Sequence, residues 1–355
     1  MERRLERNRV FKARTIVSKL SRRRFLSGLA ARTLPGHRAA EFRYKMTFHN
    51  DIQAVAFPFA KETGRVPDFL NPIFFAEKLR AASLRFSNPL MGMVSDKIAV
   101  RRFQAWSDVS LAPAKLISVY EDDQEISVRD LPSNCVLKIS NGSSQHLFHT
   151  SENPLTEQDI VAARRKWRAD PHWMRFGELV YKDLPSRVLV EEYLPHDQSQ
   201  LEYKVHCFNG EPHVIGVVAG RVGSSFLRAV YTPDWRSTTY GPGGFRKGPD
   251  IEEPKELGQI LDIARCLSRP FPHARIDFLH HNERLALGEV TLMSAAMKQL
   301  FGTPEEDRRI AERIDMSRMP EYQAEGRRIC QALDWSTETS WGHWQDDPRL
   351  ATGGF

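Results

Sequence analysis

The segment LEYKVHCFNGEPHVIGVVAG, residues 201–220, narrows the fold most. Two runs rich in β-branched and aromatic residues flank Asn209-Gly210. Asn-Gly is the dipeptide that a two-residue hairpin turn selects, because both central residues need positive φ. The chain therefore reverses there into an antiparallel pair. HARIDFLHHNERLALGEVTL (273–292) repeats the arrangement, with HHNE joining two apolar runs. Successive hairpins of this kind do not fit the strand–helix alternation of a doubly wound parallel sheet. No G-x-G-x-x-G is present either.

Further strands are expected at 114–120, 134–140, 187–194 and 226–235, each short and rich in Val, Ile or Leu. Apolar residues at helical spacing predict two helices within 68–106, broken at Asn88-Pro89. They predict others over 156–170, where Thr156 and Asp159 form a capping-box pattern, and over 254–271. Thr303, Pro304 and Glu306 open a helical tail. The fold class is α+β. The expected division is a basic N-terminal arm (1–65), irregular or partly helical, and a helical region (66–133). Two α+β units (134–195 and 196–300) and a helical tail (301–355) follow.

Charge is unevenly spread. Residues 1–45 hold fourteen Lys or Arg against three acids, a balance of +11, so the rest of the 355-residue chain carries about −5 of the net +6. SRRRFLSGLAA (21–31) imitates a twin-arginine export signal, but its apolar run stops after about seven residues and is interrupted by Ser27 and Gly28. A cytoplasmic basic arm that touches anionic lipid peripherally is the expected reading. No apolar run reaches membrane-spanning length. The four cysteines lack C-x-x-C spacing, which argues against a zinc site or a disulfide framework and fits a reducing compartment. No nucleic-acid partner is expected.

Five stretches carry candidate chemistry. In ARIDF and LGEVT, strand alternation puts Arg275 with Asp277 on one face and Glu289 with Thr291 on another. If those faces meet, two carboxylates converge and call for a cation, for which Mg²⁺ with oxygen ligands is suited. The bland alternative is an exposed strand with an Arg275–Asp277 ion pair. Lys138 sits in the apolar strand NCVLKIS and leads into Gly142, Ser143 and Ser144, a combination that suits phosphate; otherwise it is a solvated edge lysine. Glu191, Glu192, Tyr193 and Leu194 end a strand and could flank a flat base, or simply reach solvent. Glu202 and Lys204 share a face, either for ribose and phosphate or as a cross-strand ion pair. Lys97 and Arg101 lie four apart and read as one helix face, which a solvated basic surface would equally explain.

The order of these pieces resembles the ATP-grasp superfamily. SDKIAVR, LPSNCVLKISNGSS, VEEYL, YKVHCFNGEP, FPHARIDF and GEVT together look like its TupA-like family, typified by the teichuronopeptide biosynthesis protein, over about residues 70–295. The resemblance implies an ATP-grasp fold, with the nucleotide between a small α+β lid and a larger antiparallel α+β domain. It implies ATP contacts from Lys97, Lys138, Gly142, Ser143, Ser144, Glu191 to Leu194, Glu202 and Lys204. It also implies Mg²⁺ on Asp277, Glu289 and Thr291, and catalytic roles for Arg275 and Lys204; Arg228 is a further candidate. The implied reaction is ADP-forming ligation of a carboxylate to an amine through an acyl phosphate, in cell-surface polymer biosynthesis. A sugar kinase or a non-catalytic ATP-binding scaffold remains an alternative. The segment after Thr291, LMSAAMKQLF, departs from the pattern of relatives and leaves the acceptor open.

Overall fold

The computed structural model describes residues 2–109, 111–194, 200–222, 225–238, 250–281, 284–293 and 301–355. The N-terminal region is helical rather than irregular: α1 (Glu2–Ala30), α2 (Gly36–Thr47) and α3 (Asp51–Thr63). Ala13, Leu20 and Ser27 recur every seven residues along α1 and are buried, so this helix lies against its neighbours along one stripe. Helix α3 is core, with every residue from Ile52 to Ala60 buried. Charge composition concealed this, because the apolar run DIQAVAFPFA follows a strongly basic stretch.

Three helices follow, α4 (Phe75–Arg85), α5 (Pro89–Ser95) and α6 (Val100–Trp106). Asn88 caps α5 by accepting from the Leu90 amide, with Pro89 in the first turn. Lys97 lies in the turn between α5 and α6, not on a shared helix face with Arg101.

Two sheets carry the rest. The smaller contains β1 (Leu116–Tyr120), β2 (Cys135–Ile139), β3 (His146–His149) and β4 (Val188–Glu192), all antiparallel, in the order β1-β4-β2-β3. It draws its strands from both sides of residue 134. Helix α7 (Glu157–Ala169) covers one face, where Ile160 and Trp167 pack with Cys135, Leu137, Ile139, Val188 and Val190. Its N-terminus is the expected capping box: the Asp159 amide donates to Thr156 Oγ1 at 3.2 Å, and Asp159 Oδ2 accepts from the Thr156 amide at 2.8 Å. A short helix α8 (His172–Phe176) leads back toward β4.

The larger sheet has the order β7-β6-β5-β8-β9, built from β5 (Leu201–Phe208), β6 (Glu211–Val222), β7 (Ser225–Tyr231), β8 (His273–His281) and β9 (Arg284–Thr291). Asn209 and Gly210 turn between β5 and β6 with φ of 52° and 84°, as the hairpin requires. Tyr203, Val205, Cys207, Ile276 and Phe278 point to the face packed on α9 (Leu257–Ser268), through Ile260, Ile263, Ala264 and Leu267. Helices α10 (Pro304–Ala311) and α11 (Met319–Ala332) finish the fold, α10 with the Thr303–Glu306 capping box. The C-terminus returns to the N-terminal helices, where the Gln53 side-chain amide donates to the Gly354 carbonyl at 2.7 Å.

Candidate functional site

Alternation assigns Lys138 its direction. In β2, Cys135, Leu137 and Ile139 face α7, so Val136 and Lys138 face the other way. In β4, Val188 and Val190 face α7, so Glu191 joins Lys138 on the opposite side. The register pairs Lys138 with Leu189 and Val136 with Glu191, which makes Lys138 and Glu191 diagonal neighbours. Lys138 Nζ donates to Glu191 Oε2, and Arg101 Nη2 donates to Glu191 Oε1. Glu191 is 6% exposed. It is therefore a buried anchor for two cations, rather than an open acceptor at a strand end.

The loop that follows is held from both sides. Lys97 Nζ donates to the Gly142 carbonyl, and the Lys97 amide donates to the Ser140 carbonyl at 3.1 Å. Gly142 is closely packed: a Cβ there would lie 2.1 Å from Gln145 Oε1, the end of a flexible side chain, and 2.9 Å from Ile139 Cγ2. Ser144 adopts a left-handed φ of 58°, and Ser143 lies in the same turn. Tyr193 packs edge-on against Phe148, with ring centroids 5.8 Å apart, and Leu194 follows it half-buried. Glu192 joins the two sheets: its Oε1 accepts from the Lys115 amide at 2.9 Å and from Arg284 Nη2 of β9 at 2.8 Å.

On the larger sheet the polar cluster lies opposite the α9 face. The register sets Lys204 against Asp277, Asp277 against Glu289, and Arg275 against Thr291. Arg275 grips Asp277 with two hydrogen bonds of 2.6 Å and donates to Thr291 Oγ1 at 3.0 Å. Lys204 Nζ lies 3.0 Å from Asp277 Oδ2 and 2.9 Å from Glu202 Oε2. The ion pairs that sequence reading held open as bland alternatives are thus present, but buried: Asp277 is 6% exposed and Glu202 is 5% exposed. A bulge after Asp277 skips Gly288, whose Cβ would stand 3.0 Å from the Asp277 carbonyl oxygen. It returns Glu289 to register opposite Asp277.

Burial would raise the Asp277 carboxyl, but the Arg275 and Lys204 charges outweigh it and hold it below the usual range. Arg275 is held protonated in turn: burial opposes its charge, and Asp277, Glu289 and Glu202 favour it. Burial lowers the Lys97 ammonium. Glu289 opposes that shift and Lys138 adds to it. The Glu289 charge of the larger sheet thus acts on Lys97, in the turn that holds the Gly142 loop.

Arg228 stands apart. It is exposed on the edge strand β7, opposite Val218, which itself lies opposite Glu202. Residues 294–300, in the segment after Thr291, lie outside the described residues.

Sequence reading missed several contributors. Tyr181 is buried, and Glu178, Glu289 and Arg275 are among the charges acting on it; burial raises its hydroxyl well above the usual value. Asp96 accepts from the Ile98 and Ala99 amides at 2.8 and 2.9 Å and from Arg187 at 3.1 Å, so it shapes the turn that presents Lys97. The hydroxyl in GELVYKDL and the carboxylate in SDKIAV carry no spacing signal. Two grooves, lined for example by Arg24 with Tyr44 and by Arg32 with Lys166, lie against the N-terminal helices instead. Side-chain chemistry, not concavity, locates the candidate site.

This two-sheet architecture is the ATP-grasp fold. The chain belongs to the TupA-like ATP-grasp family, whose model matches residues 77–315. No curated protein sequence matches it significantly. Among solved structures it is similar to a D-alanine–D-alanine ligase from Bacillus anthracis, at 16% identity and a TM-score of 0.37, over 70% of this chain and 73% of that one. It is also similar to the D-cycloserine synthetase DcsG, at 16% identity and a TM-score of 0.37, over 64% and 72%. An L-amino acid ligase from Bacillus licheniformis matches at 12% identity and a TM-score of 0.37, over 58% and 45%. ATP-grasp proteins bind ATP. The family match, not these structural likenesses, carries the assignment.

Proposed function

We propose that the protein is an ADP-forming carboxylate–amine ligase that builds a cell-surface polysaccharide or peptide polymer. In this reading a carboxylate oxygen of the acid attacks the γ-phosphorus of ATP, and ADP leaves. The amine nitrogen then attacks the acyl carbon, phosphate leaves, and the nitrogen loses a proton to give the amide. Such chemistry asks the protein for positioning and for charge stabilisation rather than covalent work. Lys138, Lys97 and the Gly142–Ser144 loop hold the phosphates. Tyr193 and Leu194 border the base, and Glu202 takes the ribose. Arg275 and Lys204 stabilise charge on the transferred phosphoryl group and on the intermediate. Arg228, on the exposed edge strand, contacts the substrate in this reading.

The donor set Asp277, Glu289 and Thr291 is all oxygen, which fits Mg²⁺. Thr291 Oγ1 and both Asp277 oxygens already accept from Arg275 or Lys204, so these cations would have to turn away for Asp277 and Glu289, with phosphate oxygens, to hold the ion. Bound there, Mg²⁺ would neutralise β- and γ-phosphate charge. The protein works in the cytoplasm, and its basic N-terminal helices contact anionic membrane peripherally. Among the described residues no helix is long and apolar enough to cross a membrane.

The observation that supports the reading is the pair of buried polar clusters: Lys138 and Arg101 on Glu191 with Lys97 on the Gly142 carbonyl in one, and Lys204 and Arg275 on Asp277, opposite Glu289, in the other. Its test is ADP release with panels of candidate acids, with and without amines. Amine-dependent release with amide formation is expected. Release with phosphorylation of an alcohol would replace ligation by kinase action, and ATP binding without release under any condition would leave a scaffold.

A further inference from the structure

We propose that the N-terminal helices and the outer face of α7 form one docking surface for an anionic phospholipid bilayer, with a headgroup phosphate seated between Arg32, Arg43, Arg165 and Lys166. This deepens the membrane part of the reading above and rests on that part alone, not on the ligase chemistry.

The groove holds about 460 Å³ and runs between α1, α2 and α7. Its floor is small and apolar, with Gly28, Gly36, Ala162 and Ala169 among its residues, and its lining contains four cations and no carboxylate. Arg43 is already tied to the Ala169 carbonyl. Arg32, Arg165 and Lys166 are exposed and have no ion pair among the described residues. Cations around a groove floored by glycine and alanine leave room for an anion.

The surroundings select the source of that anion. Among the described residues, six of the ten large apolar side chains that stand exposed lie within residues 10–46, and a seventh, Val161, is on α7, one turn before Arg165. Phe25, Leu26 and Leu29 are 67%, 53% and 40% exposed. With exposed Arg22 they stand at i, i+3, i+4 and i+7, on the side of α1 opposite its buried stripe. Leu34, 38% exposed, lines the groove. Apolar side chains interleaved with cations match the acyl–headgroup boundary of an anionic bilayer. A nucleic-acid backbone would use the cations and leave Phe25, Leu29 and Val161 without a role.

The test is co-sedimentation of the full chain with phosphatidylcholine vesicles, with or without about 30% phosphatidylglycerol, at about 0.1 M salt. Expected is at least about tenfold stronger binding to the anionic vesicles, weakened at about 0.5 M salt because charge attraction is screened. Arg165→Glu with Lys166→Glu, and separately Phe25→Ser with Leu29→Ser, should each cut binding at least about fivefold. ATP binding by the Arg165/Lys166 variant should stay as in the wild type, which separates loss of docking from failure of the nucleotide site. Equal binding to neutral and anionic vesicles, or wild-type binding by the Arg165/Lys166 variant, overturns the proposal. So does stabilisation by about 10 mM inorganic phosphate without vesicle binding, or capture of single-stranded RNA in place of vesicles.

Discussion

The two sheets contribute charge to the candidate site in different ways. On the larger sheet, Lys204, Asp277, Arg275, Glu289 and Thr291 sit on three neighbouring strands, and strand register alone brings them together. Each cation there already has a carboxylate within the same sheet. On the smaller sheet the cations come from three different local structures: Lys138 from a strand, Lys97 from a turn and Arg101 from a helix. A single buried carboxylate, Glu191, holds two of them. The first arrangement is fixed by hydrogen-bonded backbone. The second depends on one side chain and on a loop that packs around a glycine. A pre-set charge cluster suits the reacting phosphoryl group, whereas a tethered set of cations suits binding of the nucleotide.

The hardest test of this contrast is Asp277→Asn. It leaves the Arg275 guanidinium and the Lys204 ammonium short of a buried negative charge, which costs about 3 kcal/mol or more of stability. ADP release should fall about a hundredfold to a thousandfold, while ATP binding, measured calorimetrically, changes much less. Turnover near wild type would remove Asp277 from the chemistry. Glu191→Ala should do the reverse, raising the ATP Kd about tenfold through loss of the Lys138 and Arg101 anchor, an effect of about 1.4 kcal/mol. Its kcat should stay within about threefold of wild type. A Glu191→Ala chain that loses kcat but keeps its ATP affinity would dissolve the division of labour between the sheets.

Gly142→Ala sharpens the same contrast at smaller scale. The added methyl meets the flexible end of Gln145 and the methyl of Ile139, so the loop must shift at a cost of about 1–3 kcal/mol. ATP affinity should drop about threefold to tenfold. Because the closest clash is with the Gln145 amide, Gln145→Ala in the same chain should recover most of the loss. Failure of that rescue would place the strain at Ile139 instead.

The difference between the sheets also explains what could be read from sequence. The larger sheet was legible because its information is periodic. Asn209-Gly210 fixes a hairpin, and alternation then sets the facing of Glu202, Lys204, Arg275 and Asp277. The capping boxes at Thr156 and Thr303 were legible for the same local reason. The bulge at Gly288 was not, since nothing in LGEVT distinguishes a skipped glycine from a paired one. The partners of Lys138 were hidden too. Arg101 is 37 residues before it and Glu191 is 53 after it, and only tertiary packing brings them together. Strand β3 was missed because HLFH is four residues long, too short to show a period. Helix α3 was missed because charge counting averaged an apolar stretch into a basic region.

The smallest expected effect concerns the floor of the larger sheet's cluster. His206 lies opposite Arg275, and its Nδ1 is 3.2 Å from His273 Nε2. Burial pushes both rings below the usual histidine range, His273 to about 3, and the Arg275 charge adds to the shift in each. Both are therefore neutral in the folded chain at neutral pH. Their contribution to stability is present above the unfolded value of about 6.5 and declines as pH falls from there toward the folded value, because only the unfolded chain takes up the protons. Each such histidine gives a slope of up to about 1.36 kcal/mol per pH unit in that window. His213, lowered to about 4 chiefly by burial, adds to it. Asp277, whose folded value is depressed, contributes stability that is lost only below about pH 3.9. Burial raises the Glu77 and Asp307 carboxyls, which oppose the histidine slope, so the comparison with the His206 variant isolates that ring. Urea midpoints should fall from about pH 6.5 to about pH 4, and His206→Phe should lessen the slope by roughly a third. An unchanged slope in that variant would mean that His206 takes up its proton in the folded state, and that the positive field of Arg275 does not reach beneath the cluster.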